Sequence, residues 1–145
     1  MSKFWLLRVP RVVLGIVFLA GAIDGFYFIA TGTHLVHPPT SQRGLHFEDA
    51  LKSVGFFWPL MKTVELIGAS CLLTNRAPAF GLALLSPIMA VVVLFHALLN
   101  PQGAPLAALL VVNGALLLRA YAPRFARLFG SGSTTPYTTA QEVRL

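Results

Sequence analysis

The chain has 145 residues, of which 56% are apolar and only 11% charged; a soluble domain carries about 25% charged residues, so the composition excludes an ordinary soluble fold and predicts an integral membrane protein. The net charge of +6 does not indicate nucleic acid as a partner, because the basic residues stand at the ends of apolar runs and not in a patch interleaved with exposed aromatics. A single cysteine, Cys71, excludes an intrachain disulfide and a C-x-x-C couple, and with them dithiol chemistry by this chain alone.

Four apolar runs approach the ~20 residues needed to cross about 30 Å of hydrocarbon, and they divide the chain. Residues 1–11 form a basic lead-in, with Pro10 suited to the first turn of a helix, where its missing N–H would be unpaired anyway. The first spanning helix is expected over residues 12–30. Its apolar run continues past Ala20-Gly21-Ala22 through Phe26, Tyr27, Phe28 and Ile29, which argues for a full span and against a cleaved signal peptide. Gly21 and Gly25 form a G-x-x-x-G that would let a neighbouring helix approach closely. Asp24 lies inside that motif, in the outer half of the span, and reads either as a pocket residue or as an interfacial carboxylate that finds water.

Residues 31–53 make a long outer connection, and loops beyond about 12–15 residues tend to be functional or disordered. His34, His37 and His46, beside Glu48 and Asp49, are weak candidates for a metal. Pro38 and Pro39 stiffen the segment and the spacing fits no zinc pattern, so no metal is expected. The second half places Phe47, Leu51, Val54 and Trp58 on one side and Glu48, Asp49 and Lys52 on the other. That pattern is an amphipathic segment lying on the outer surface, with Trp58 as an interfacial anchor.

The second helix, residues 54–74, contains WPLMKTVELIGASCLL. Lys62 and Glu65 stand three residues apart, hence on one face, together with Trp58, Ala69 and Leu72. An ionisable side chain in the bilayer costs about 2.5–3.5 kcal/mol on insertion scales, so this stripe is expected to face inward and to mark a site. The other reading is a self-neutralising pair that only fixes helix packing. A short inner turn, residues 75–78, makes the third helix (residues 79–99) an antiparallel neighbour of the second. Pro87 predicts a kink, and His96 lies near the outer end with Asn100 one turn later. After an outer loop at residues 100–104, the fourth helix covers residues 105–122 and carries Asn113, an expected interhelical hydrogen-bonding group. Residues 123–145 begin basic and end in a polar tail expected to be disordered.

Lys3, Arg8, Arg11, Arg76, Arg119, Arg124, Arg127 and Arg144 fall on one side of these spans, and only Arg43 and Lys52 on the other. The positive-inside rule then puts both termini in the cytoplasm, and the fold is an all-α, up-down four-helix membrane bundle. Topology places Asp24, Lys62, Glu65, His96 and Asn113, from four different helices, in its outer half. Their convergence is the working hypothesis: a polar pocket open to the outer side or sideways to lipid. An acid, a base and an imidazole together could bind a quinone head group and exchange protons with it, or bind a lipid or amphiphilic amine through Asp24 and Glu65. No nucleophile with an orienting base, phosphate loop or metal box is visible, which disfavours hydrolysis and phosphoryl transfer.

The pattern FFWPLMKTVELIGASCLLTNRAPAFGLALLSPIMAVVVLFHALLNPQG resembles the DoxX-like family of small four-helix bacterial membrane proteins, and GIVFLAGAIDGFYF resembles that family's first helix. The likeness covers about residues 8–122 and rests most on Lys62, Glu65, Gly68, Arg76, Pro87, His96 and Pro101. Where the family's first helix often has a Lys near Asp24, this chain has Gly25. The resemblance implies a multi-pass protein of the bacterial inner membrane. The family is named for a subunit of a thiosulfate:quinone oxidoreductase and is linked to membrane redox, thiol and oxidative-stress complexes. It therefore implies a bound quinone or similar lipid-soluble molecule, no cofactor encoded by the chain itself, and a soluble or peripheral oxidoreductase or a second copy of the chain as partner beside the lipid bilayer. Two other readings stand beside it: a non-enzymatic binder of sterol-like, lipid or amine ligands, more distantly similar to sigma-2-type receptors, and a purely structural subunit.

Overall fold

A computed structural model describes the backbone of residues 3–129 and the side chains of residues 7–127. The polar tail expected from Gly130 onward, with Arg144, lies outside the described residues. Among those described there are five α-helices and no strand: α1 (Lys3–Thr31), α2 (Gln42–Ser53), α3 (Phe57–Thr74), α4 (Pro78–Leu94) and α5 (Ala104–Phe129).

Helix α1 begins at Lys3, so Pro10 lies inside the helix and not in its first turn. The amphipathic outer segment is the helix α2. Ser41 caps it by accepting from Gly44 N at 3.1 Å, the side-chain bond expected of an N-cap serine. Val54 caps its other end, and α3 starts only at Phe57, after Gly55 at φ 77. That left-handed residue, readily adopted by glycine, lies at the break where α2 and α3 meet at 96°. Asn75 ends α3 at φ 59, a common left-handed helix stop, and Pro78 opens α4.

Pro87 sits inside α4, where it cannot donate to the Ala83 carbonyl. The neighbouring Ser86 hydroxyl donates to that carbonyl instead, at 2.8 Å. The helix then widens into one π turn, Phe95–Leu99, closed by Asn100 N donating to Phe95 O at 2.9 Å. A 3-10 turn, Pro101–Gly103, leads into α5. Helix α5 does not stop at residue 122 but continues to Phe129 through Pro123. The basic residues of that stretch are good helix formers, and Arg124 lies 5.3 Å from the centre of the Tyr121 ring.

The four long helices pack as a closed ring, α1 on α3, α3 on α4, α4 on α5 and α5 back on α1. Close approaches fix the directions. Gly15 lies against Leu73 and Gly25 against Lys62, so α1 and α3 are antiparallel; Gly68 lies against Leu85 and Gly81 against Cys71, so α3 and α4 are too. Met89 meets Gly114, and His96 meets Gly103 at the next junction. Leu14, Phe18, Leu72, Leu85, Leu110 and Leu117 belong to the buried core. By that register Leu14 and Leu72 share a level well away from Asp24 and Lys62, which leaves the polar residues at the opposite end of the ring.

Three stretches are long and apolar enough to cross a membrane, Leu7–Thr31, Pro78–Leu99 and Pro101–Arg127, and the bent pair α2–α3 is a fourth if it counts as one span. Only 22% of the Pro78–Leu99 window is buried within the protein, so most of its apolar side chains face outward. Ile16, Ile23, Ile67, Val112 and Leu118 are exposed in the same way, an apolar surface that a water-soluble monomer rarely tolerates.

Candidate functional site

Helical spacing brings Lys62 and Glu65 onto one face of α3, one turn apart. The Lys62 Nζ donates to both Glu65 carboxylate oxygens, at 3.1 and 2.9 Å, and the two residues are 8% and 4% exposed. Helix α1 makes room for them. A Cβ at Gly25 would collide with the Lys62 stem, and one at Gly21 would stand 3.3 Å from Glu65 Oε2. The G-x-x-x-G motif thus seats the ion pair. Trp58, one turn before Lys62, presents its ring 4.8 Å from Nζ, a favourable cation–π distance. The Trp58 Nε1 is buried and has no hydrogen-bond partner among the described residues.

These three residues border a cavity of about 390 Å³. Phe47 and Leu51 of α2 line it from one side, Val91, Val92 and Phe95 from another, and His96 and Asn100 from the junction with α5. The His96 ring fits against Gly103, where any Cβ would overlap it. Its Nδ1 lies 3.4 Å from the Asn100 carbonyl. A carbonyl only accepts, so Nδ1 is the donor side of this long contact.

A second cavity, of about 450 Å³, is lined by Asp24, His34, Glu48 and Lys52 and shares Trp58 and Lys62 with the first. Asp24 Oδ1 accepts from Leu35 N at 2.7 Å and Val36 N at 3.1 Å, and Oδ2 lies 2.6 Å from His34 Nδ1. The His34 Nε2 is 3.1 Å from Lys52 Nζ, which is itself 3.5 Å from Glu48. An ammonium only donates, so Nε2 accepts from it and Nδ1 donates to Asp24. The His34 ring stacks on Phe28 at 4.4 Å, and Lys52 Nζ stands 4.5 Å from the Phe28 centroid and 5.0 Å from that of Trp58. Asp24 therefore fastens the outer connection to the end of α1.

No protein-family model, curated protein or solved structure matches this chain. What the site can do is read from its own groups.

The five residues expected to converge do so in part. Lys62, Glu65 and His96 line the first cavity, while Asp24 lines the second, which Lys62 also borders. Asn113 lines neither; its side chain donates to Leu109 O of its own helix at 2.7 Å. Of the loop histidines, His34 is engaged by Asp24 and Lys52, and His37 and His46 are exposed. No group of three or more His, Cys, Asp or Glu side chains placed to hold a metal occurs among the described residues.

Two contributions were not legible beforehand. His34 reaches Asp24 by a turn of loop with no periodicity to announce it. Asn100, 2% exposed, accepts from Ser41 N at 3.1 Å and donates to Pro39 O at 3.3 Å, while Ser41 Oγ donates to Leu99 O. These bonds tie the outer connection to the far side of the ring and so shape the wall of the first cavity. The sequence signal was the helix-capping serine before α2, which marks where the loop must be held.

Proposed function

We propose that the chain is a DoxX-like subunit of a bacterial inner membrane that binds a quinone or similar lipid-soluble molecule in the first cavity. In this reading the ring crosses the bilayer four times as an up-down four-helix bundle, with α2 lying across the outer surface, α3 descending from it, and both termini cytoplasmic. The carrying observation is one chamber that joins a buried Lys62–Glu65 pair and His96 to walls of Phe47, Leu51, Val91 and Val92. Its volume falls in the range of small-molecule sites, which are mostly apolar with a few convergent polar groups. The Trp58 N–H suits an acceptor oxygen, and it and the Lys62 ammonium are the donors that a ring bearing carbonyls would use.

A bound quinone supplies two-electron, two-proton chemistry. Were a quinone bound, the chain's part would be to hold the head group, to keep compensated charge beside it through Lys62 and Glu65, and to pass a proton through the His96 imidazole to the ring as electrons arrive. Electrons come from a docked oxidoreductase, the partner this reading requires.

The test is binding by the full chain in lipid discs, with a decyl-substituted benzoquinone as probe and Trp58 fluorescence as readout in a Trp5→Phe background. Glu65→Gln and His96→Ala should each weaken binding about tenfold or more, a loss of ~1.4 kcal/mol, with helicity retained. Affinity unchanged in both variants would reject the site.

One observation favours a second reading, an amine-binding membrane protein. The Lys52 ammonium already lies against Phe28, Trp58 and Glu48 in the second cavity, the surroundings an organic cation would use. A retained amine or lipid in mass spectra of the discs, with no quinone, would support it.

A further inference from the structure

The first cavity does not end at its polar residues. A third void, of about 370 Å³, lies along α3 and α4 and shares Leu51, Met61, Val91 and Val92 with it. The rest of its lining is apolar. On α3 the lining residues Phe57, Leu60, Met61 and Val64 recur at i, i+3, i+4 and i+7, and on α4 Leu84, Pro87, Ile88 and Val91 repeat the same spacing. Each set is one stripe of a helix, and the two stripes face a common groove because the helices run antiparallel. Seven residues of α3 carry the groove roughly 10 Å along the helix axis.

We infer that this groove holds the hydrocarbon tail of the ligand whose head sits in the first cavity, and that the ligand enters sideways between α3 and α4. The inference rests on the reading of that cavity as a quinone site and adds the class of molecule: a single-chain amphiphile with an acceptor-bearing ring, delivered from the lipid and not from water. Three observations carry it. The two voids are neighbours with four lining residues in common, so a head group in one stands beside a tail in the other. Polarity changes along that path, from Lys62, Glu65 and His96 at one end to uninterrupted apolar side chains at the other. The groove opens on partly exposed residues, Leu60 at 54% and Val91 at 45%, which in a bilayer face acyl chains. Tail and lipid are equally apolar, so the groove gains its selectivity from close packing and not from desolvation.

The test compares two probes on the full chain in lipid discs: a methylated dimethoxybenzoquinone bearing a decyl chain, and the same head without the chain. Val64→Trp fills the groove from α3, and Ile88→Trp fills it from α4, so one misfolded variant does not end the experiment. The expected result is that each folded variant binds the tailed probe about tenfold more weakly than the parent chain does, while the tailless head binds all of them alike. That equal binding also shows the cavity to be intact. If both probes bind and the tryptophans change neither affinity, the tail inference falls and the head site stands, with bulk lipid as the occupant of the groove. If neither probe binds the parent chain, the quinone reading falls and takes the tail with it.

Discussion

Lys62 and Glu65 are coupled so closely that neither can be altered alone without consequence. Both are buried and each is the other's charge partner. Glu65→Leu leaves an uncompensated ammonium and should destabilise the fold by about 3–5 kcal/mol, whereas Lys62→Met combined with Glu65→Leu should be near neutral or stabilising. Thermal midpoints in detergent should therefore rank the double variant above Glu65→Leu; the reverse order would show that the pair itself holds the helices. This pair was legible because two charges in an apolar run have few physical explanations. The Asp24–His34–Lys52 chain was not, because its members come from a helix end, a loop and a separate helix, and only the folded backbone brings them within 2.6 and 3.1 Å. Asn113 illustrates the opposite limit. Counting along a helix sets only the expected level of the residue; rotation about the helix axis decides whether it faces a cavity, and an amide can satisfy itself on its own helix's carbonyl.

At the scale of the element, interruptions of the helices coincide with the site. The 96° turn between α2 and α3 puts Leu51 and Phe47 over the first cavity, and the π turn at Phe95–Leu99 places His96 beside Gly103. Pro87 is the third interruption. The Ser86 hydroxyl takes over the Ala83 carbonyl that Pro87 cannot reach, on the exposed side of the helix; in the proposed bilayer no water would replace that bond. In lipid discs, Ser86→Ala should lower stability by about 1–3 kcal/mol, the cost of leaving the Ala83 carbonyl unmet where lipid and not water covers it; a thermal midpoint equal to that of the parent chain would mean that the helix relaxes to another partner. The all-helical class followed from the apolar runs, three of which are long candidate spans. Boundaries did not. The expectation that α1 starts after Pro10 and that α5 ends by residue 122 assumed that basic residues mark the end of a helix, but Arg and Lys continue a helix readily once it leaves the apolar layer. The bend at Gly55 was hidden because its residues also fit an unbroken span.

For the whole molecule, the ring order α1–α3–α4–α5 brings chain-distant residues together at one end and leaves the apolar core at the other. The proposed topology puts that polar end outside. It can be checked in a Cys71→Ala background, which keeps the Cβ that packs near Gly81. A membrane-impermeant maleimide should label His37→Cys in intact cells and Arg76→Cys only after permeabilisation; the opposite pattern would invert the orientation. The charge asymmetry on which this rests needed no structure, since it counts residues flanking runs. The division of the polar end into two chambers, with Trp58 and Lys62 bordering both, did need one.

The ion pair closes within a single helix, and this bears on how the chain reaches its final state. Lys62 meets Glu65 across one helical turn of α3, so the bond can form as soon as that turn does, without any contact from α1 or α4. A translocating segment that neutralises itself in this way enters hydrocarbon as a dipole and not as two separate ions, at a lower cost than either charge alone would carry. In the proposed topology the charges of α3 then need no partner from another helix, and Gly21 and Gly25 of α1 receive a pair already made.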